Sequence, residues 1–157
     1  MKIGFGYDIH KLVKSKPLYL GGVRIPSKKG LLAHSDGDVL LHSICDSLLG
    51  AVGMGDIGTH FPNSDRKYKN ISSLILLEKT YNLLKKQGYK IENIDSMIVA
   101  QEPKISPYID KMKTNISKIL KSQNISIKAT TNEGVGDIGK GKAICAYTVC
   151  LIQRKNV

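Results

Sequence analysis

One layer pair of strands and helices, an α/β or α+β fold in a single domain, is predicted by three observations. Segments with period-two alternation recur from one end of the chain to the other. Helical-period segments lie between them, and glycine, proline and asparagine punctuate the joins. The 157 residues, 41% hydrophobic and 24% charged, suffice for one buried core. No internal repeat, low-complexity tract or linker divides the span 1–157.

Taken in order, residues 2–7 alternate as a strand, and 17–25 read as a strand pair broken by Gly21-Gly22. Residues 39–49 read as a helix that stops in the glycine-rich stretch 50–58, where backbone can approach a ligand closely. Asn70 is placed to cap a second helix with Leu74, Leu77, Tyr81 and Leu84 on one stripe and Gly88 as its stop. Residues 91–100 are extended, with alternation at Ile94, Ser96 and Ile98. Pro107 opens a third helix with the stripe Tyr108, Met112, Ile116, Ile119 and Leu120. Strands at 125–130 and 143–152 flank a second glycine-rich loop, 131–141.

Composition excludes several classes. No apolar run approaches the length of a bilayer span, and the first residues lead straight into a strand with no signal-like segment, so a soluble protein is expected. Cys45, Cys145 and Cys150 are odd in number and lack a C-x-x-C spacing, which argues for buried thiols over disulfides or a thiolate metal site. The net charge of +11 suggests polyanion binding, but the lysines are scattered and form no basic stripe. That field suits steering of an anionic small substrate better than nucleic-acid recognition.

The chemistry-bearing residues gather in four places: Asp8 and His10, 34–42, 56–65, and 130–140. Two residues apart on a strand, Asp8 and His10 share a face, and folding can bring His42 to them. One carboxylate and two imidazoles make a three-donor site that leaves zinc a fourth position for water or substrate. Spacing alone carries little weight here, because Asp-x-His is common by chance. Asp38, His42 and Asp46 follow at helical spacing, so Asp38 or Asp46 can orient the His42 ring, with helix capping as the plainer role for Asp38. His34 and Ser35 lack the elbow of a serine hydrolase. Gly-Asp-Ile-Gly occurs at 55–58 and again at 136–139, and such loops, with Thr130 and Thr131 beside the second, can cradle phosphate; plain turns are the commoner use. Lys104 follows Gln101-Glu102-Pro103 at a strand end.

Together these clusters resemble the 2-C-methyl-D-erythritol 2,4-cyclodiphosphate synthase family. The motifs Arg24-Ile25-Pro26, the run 30–39 containing His34-Ser35-Asp36-Gly37-Asp38, Gly55-Asp56-Ile57-Gly58, Phe61-Pro62 and Lys128-Ala129-Thr130-Thr131 stand in family order. The resemblance implies an α+β sandwich, one mixed, mainly antiparallel sheet with helices on one face, in a homotrimer with its sheets around a threefold axis. It implies zinc on Asp8, His10 and His42, and a second divalent cation, magnesium or manganese, near Glu133. His34 and Thr131 fall at positions that stabilise the transition state. The methylerythritol phosphate side of the substrate would meet Asp8, His10, His34, Ser35, Asp56, Ile57, Gly58, Phe61, Asn63 and Asp65. Ala100, Lys104, Ile105, Ser106, Ala129, Thr130 and Thr131 of the adjoining subunit would hold the cytidine diphosphate, and Asn132, Glu133, Asp137 and Lys140 are further implied substrate contacts. The implied reaction is metal-assisted intramolecular phosphoryl transfer that closes a cyclic diphosphate and expels CMP, in the non-mevalonate isoprenoid pathway.

Three positions depart from the family pattern. Asn63 replaces an aspartate, Asp137 stands where an aromatic is frequent, and Lys140 replaces an arginine and so loses bidentate phosphate geometry. An isoprenoid diphosphate in the cavity on the threefold axis is a further implied partner. The expected setting is the bacterial cytoplasm, or a plastid-type organelle after loss of a transit peptide. Zinc-dependent hydrolysis of another phosphoester stays open as a second function.

Overall fold

The computed structural model describes residues 1–155, so the last two residues of the expected domain lie outside the described residues. Strand β1 (Lys2–Lys14) turns Gly4, Gly6, Asp8 and His10 to one side and leaves Ile3, Phe5, Tyr7 and Ile9 exposed on the other. It runs seven residues beyond the expected end, because β7 (Ala143–Arg154) pairs with it as far as Lys11 and β4 (Lys29–Leu31) pairs from Leu12 onward. Strands β2 (Leu18–Leu20) and β3 (Val23–Ile25) form the hairpin expected around Gly21-Gly22, whose φ angles of 58° and 69° are those a type I′ turn demands.

Helix α1 (Val39–Ala51) passes through Gly50 before the glycine-rich loop begins, and short α2 (Ile57–His60) follows that loop. Helix α3 (Ser73–Lys86) starts later than expected. Asn70 stands at φ 56° outside it, and Ser72 caps it by accepting from the Leu74 N–H at 3.3 Å. Its stripe is rotated accordingly: Leu76, Leu77, Thr80 and Leu84 are buried, whereas Leu74 and Tyr81 are half-buried. Strand β5 (Tyr89–Val99) precedes α4 (Ile109–Leu120), which buries Met112, Ile116 and Leu120 as its pattern predicts. Pro107 sits in the 3-10 turn leading into α4. Strand β6 (Ile125–Thr130), one-turn α5 (Gly136–Gly139) and β7 complete the chain.

The main sheet has the order β4-β1-β7-β5-β6. All pairings are antiparallel except β5 with β6, which α4 connects as a crossover. The core lies between this sheet and α1, α3 and α4, the mixed α+β architecture that the resemblance implies. All three cysteines are free and buried, as expected. Where α1 meets the sheet, the buried Ser43, Thr148 and Ser96 hydroxyls bond in series at 2.8 and 2.8 Å, so none is left unsatisfied.

Candidate active site

The site begins with the closeness of α1 to β1. A Cβ on Gly6 would stand 1.9 Å from the Ser43 carbonyl oxygen, and one on Gly4 would stand 1.8 Å from that of Ser47. Only glycine permits this approach, and it sets His42, in the first turn of α1, over the Asp8/His10 face of β1. Asp8 Oδ2 lies 2.8 Å from His42 Nδ1 and 3.1 Å from His10 Nε2, and the two ring nitrogens are 3.4 Å apart. Among the described residues this is the cluster of His, Cys, Asp or Glu side chains able to hold a metal ion. The triad expected from the sequence is thus brought together.

Electrostatics fit a donor set. Burial favours a neutral Asp8, but hydrogen bonds with His10 and His42 outweigh it and hold the carboxyl well below the usual range. Burial likewise opposes a charged His42, and the hydrogen bond and charge of Asp8 override it, raising that ring above its ordinary value. A metal ion would replace the shared protons at the centre of this cluster.

Neither Asp38 nor Asp46 orients the His42 ring, contrary to one sequence expectation. Asp38 is fully buried as the α1 cap. Its Oδ1 accepts from Gly21 N–H at 3.0 Å and Leu41 N–H at 3.1 Å, and its Oδ2 accepts from Gly22 N–H at 2.8 Å. Burial, then the neighbouring Asp36 charge, push its carboxyl up to about 6. Asp46 accepts from the Ile57 N–H at 2.7 Å and so fixes the start of α2. The ring's other nitrogen, Nε2, instead lies 2.9 Å from Ser73 Oγ and 3.2 Å from Ser35 Oγ. Ser73 carried no signal of its own, since a Ser-Ser pair at a helix start reads as capping; Asp36 stood in the family run without a role.

The remaining expected residues occupy two regions. His34 Nε2 is buried without a hydrogen-bond partner, which suits a group awaiting a ligand. Asp56 caps α2 by accepting from Thr59 N–H at 2.8 Å, and Ile57 and Gly58 follow at that exposed helix start. Phe61 packs edge-on against Tyr68 at 5.5 Å in a small cluster with Leu76. Asp65 caps the 3-10 turn Arg66–Tyr68 and pairs with Lys67 at 2.7 Å, beside exposed Asn63.

A cavity of about 940 Å³ forms the second region. Ala100, Lys104, Ile105, Ser106, Ala129, Thr130, Thr131 and Lys140 all line it, joined by Lys28 and Lys29, which the sequence reading passed over as surface charge. Asn132, Glu133 and Asp137 stand outside that lining. Thr131 Oγ1 donates to Glu133 Oε1 at 2.9 Å, and Asp137 pairs with Lys142 at 3.1 Å.

A mixed sheet covered by helices on one face, with an Asp-His-His set able to hold a metal where the first strand meets the first helix, defines an α+β domain with a candidate metal site. The model of the YgbB family matches residues 1–153, and the chain belongs to that family. A 2-C-methyl-D-erythritol 2,4-cyclodiphosphate synthase from Clostridium botulinum strain Hall is 58% identical over 154 residues, covering 97% of this chain and 99% of its own. The bifunctional IspDF from Campylobacter jejuni superposes with a TM-score of 0.95 at 39% identity; the match covers 99% of this chain and 42% of that longer one. IspF from Plasmodium falciparum in complex with CDP gives 0.86 at 43% identity, covering 99% of this chain and 97% of that one.

Proposed function

We propose that this chain converts 4-diphosphocytidyl-2-C-methyl-D-erythritol 2-phosphate to 2-C-methyl-D-erythritol 2,4-cyclodiphosphate and CMP, as a phosphorus–oxygen lyase of non-mevalonate isoprenoid synthesis. The observation that carries this reading is the Asp8-His10-His42 donor set in a chain of which 97% is matched by a synthase of that name.

The donor atoms suit zinc. With bonds of about 2.0–2.1 Å, tetrahedral ligand atoms stand roughly 3.3 Å apart, and the three here are separated by 2.8, 3.1 and 3.4 Å. Asp8, His10 and His42 would hold zinc and Glu133 would help hold magnesium or manganese; the ions supply a template and charge neutralisation for the phosphates. The attacking 2-phosphate is already anionic near neutral pH, so no side chain need remove its proton. That accounts for a site with no activated Ser, Cys or Lys. His34, with its unpartnered Nε2, and Thr131 would donate to phosphate oxygens as charge redistributes. Ser35, Asp56, Ile57, Gly58, Asn63 and Asp65 would hold the methylerythritol phosphate. The cavity lined by residues 100–106 and 129–131 would hold the cytidine diphosphate, consistent with CDP in the Plasmodium structure.

A homotrimer with active sites between neighbours belongs to this reading. Ile3, Phe5, Tyr7, Ile9, Tyr147 and Val149 leave one sheet face apolar and between 41% and 73% exposed, which a second copy would cover. No helix among the described residues is long and apolar enough to cross a membrane.

The test is CMP release from the diphosphocytidyl substrate by purified protein. Release should stop on chelation, return with zinc plus magnesium, and be abolished in His42→Ala. Protein that binds zinc yet releases no CMP would defeat the proposal.

A further inference from the structure

We propose that Asp36 and Ser73 form a relay that presets His42 as a metal ligand and ties the metal centre to the 34–38 loop. This inference rests on the metal reading above and is independent of which phosphate substrate is turned over.

Ser73 is fully buried, and its single hydroxyl proton goes to Asp36 Oδ1, while its N–H donates to Asp36 Oδ2 at 2.8 Å. Toward His42 Nε2, 2.9 Å away, Ser73 Oγ has only lone pairs to offer. Against Ser73 the ring can only donate, which places a proton on Nε2; the proton that a metal would displace is the one on Nδ1, the nitrogen that faces Asp8 Oδ2 and His10 Nε2. A neutral imidazole with its proton on Nε2 is the tautomer that binds metal through Nδ1. Ser72 does the capping of α3, which frees the Ser73 hydroxyl for this task.

The same contacts clip the 34–38 loop to the start of α3. Asn70 N–H donates to the His34 carbonyl at 2.8 Å, and Asp36 N–H donates to the Ile71 carbonyl at 3.1 Å. Ser35 Oγ lies 3.2 Å from the same His42 Nε2, so one ring nitrogen touches both the relay and a residue of the candidate phosphate site. Asp36 thus acts through Ser73, as a positioning residue, on the metal ligand and on the loop together.

Asp36→Asn reverses the relay. An amide has one acceptor oxygen for the two donors of Ser73, and its NH2 would turn the hydroxyl proton toward His42, opposing the Nε2–H tautomer. Ser73→Ala removes the acceptor outright.

The experiment is zinc affinity by competition with a chromophoric chelator, using purified protein and zinc alone, for the parent, Ser73→Ala, Asp36→Asn and the double variant. The zinc dissociation constant should rise about 10- to 100-fold in each single variant. The double variant should be no weaker than the worse single, since both break one chain. The cobalt(II)-substituted proteins should show shifted d–d absorption bands. Unchanged zinc affinity in Ser73→Ala, or single effects that multiply in the double variant, would overturn the relay. A role confined to stapling α3 would lower the melting temperature equally with and without zinc and leave the affinity alone, which also overturns it. If Ser73→Ala does not fold, Asp36→Asn decides the question, because Asp36 is half-exposed. Zinc binding absent from the parent itself would instead refute the metal reading.

Discussion

Gly6→Ala should uncouple the metal site while leaving its ligands in the sequence. The new Cβ would stand 1.9 Å from the Ser43 carbonyl oxygen and 2.8 Å from the Ser47 nitrogen, against 3.4 Å for ordinary contact. Backbone atoms cannot swing aside as a side chain can, so α1 must retreat by about 1.5 Å. His42 precedes Ser43 and moves with it. A zinc–nitrogen bond of about 2.0–2.1 Å cannot stretch that far, so the ion keeps two protein ligands of three. We expect zinc affinity to fall about 100-fold or more, beyond the range for a lost outer-shell partner. Overpacking should cost about 1–3 kcal/mol, or very roughly 2–12 °C of melting temperature. Gly50→Ala is the matched control: in the same helix, its Cβ meets only the Phe5 carbonyl at 3.8 Å. That variant should keep its zinc and gain up to about 1 kcal/mol of stability. The readouts are chelator competition and thermal melts. Folded Gly6→Ala with parental zinc affinity would refute the claim that close packing of α1 on β1 builds the site.

Other outcomes follow from the same geometry. Asp38→Asn should lose about 1–3 kcal/mol in denaturant melts, because Oδ1 and Oδ2 together accept three backbone N–H groups and an amide NH2 would face one of them. The metal-free protein should become less stable as pH rises. Asp38, raised to about 6 from 3.8, loses stability across that interval, and His42, raised above 6.5, contributes fully below 6.5 and loses its contribution as pH passes its folded value. Asp8, being depressed, acts oppositely, but its contribution is complete above 3.8 and is lost only at lower pH. Melting temperatures against pH, with and without zinc, check this, and zinc should abolish the His42 part because the metal takes the proton's place. Phe5→Asp, on the exposed apolar face of β1, should break up the proposed trimer and lower the sedimenting mass; an unchanged species would place the contact elsewhere.

Much of the site was legible because its signals are local. Asp8 and His10 share a face by strand periodicity, and the turn before residue 39 announces the helix that carries His42. The orientation of β1 was not legible. Its apolar residues Ile3, Phe5, Tyr7 and Ile9 face away from the helices, whereas Gly4, Gly6, Asp8 and His10 face α1, the reverse of an ordinary half-buried strand. The glycine face packs against Ser43 and Ser47 of α1, which lie some forty residues on. The Ser73 contact is hidden for the same reason, since 31 residues separate it from His42 and nothing in its neighbourhood marks it. Asp46 shows the opposite failure: helical spacing placed it beside His42, but the Ile57 N–H claims its carboxylate.

The central claim is that the open side of the Asp8-His10-His42 centre receives a substrate phosphate and not a hydrolytic water. Turnover of the diphosphocytidyl substrate by metal-loaded protein in oxygen-18 water, followed by mass spectrometry and phosphorus-31 NMR, tests it most directly. CMP and a cyclic diphosphate, neither carrying the heavy isotope, are the expected products. A linear phosphate product bearing oxygen-18 would contradict the claim and make the site that of a hydrolase.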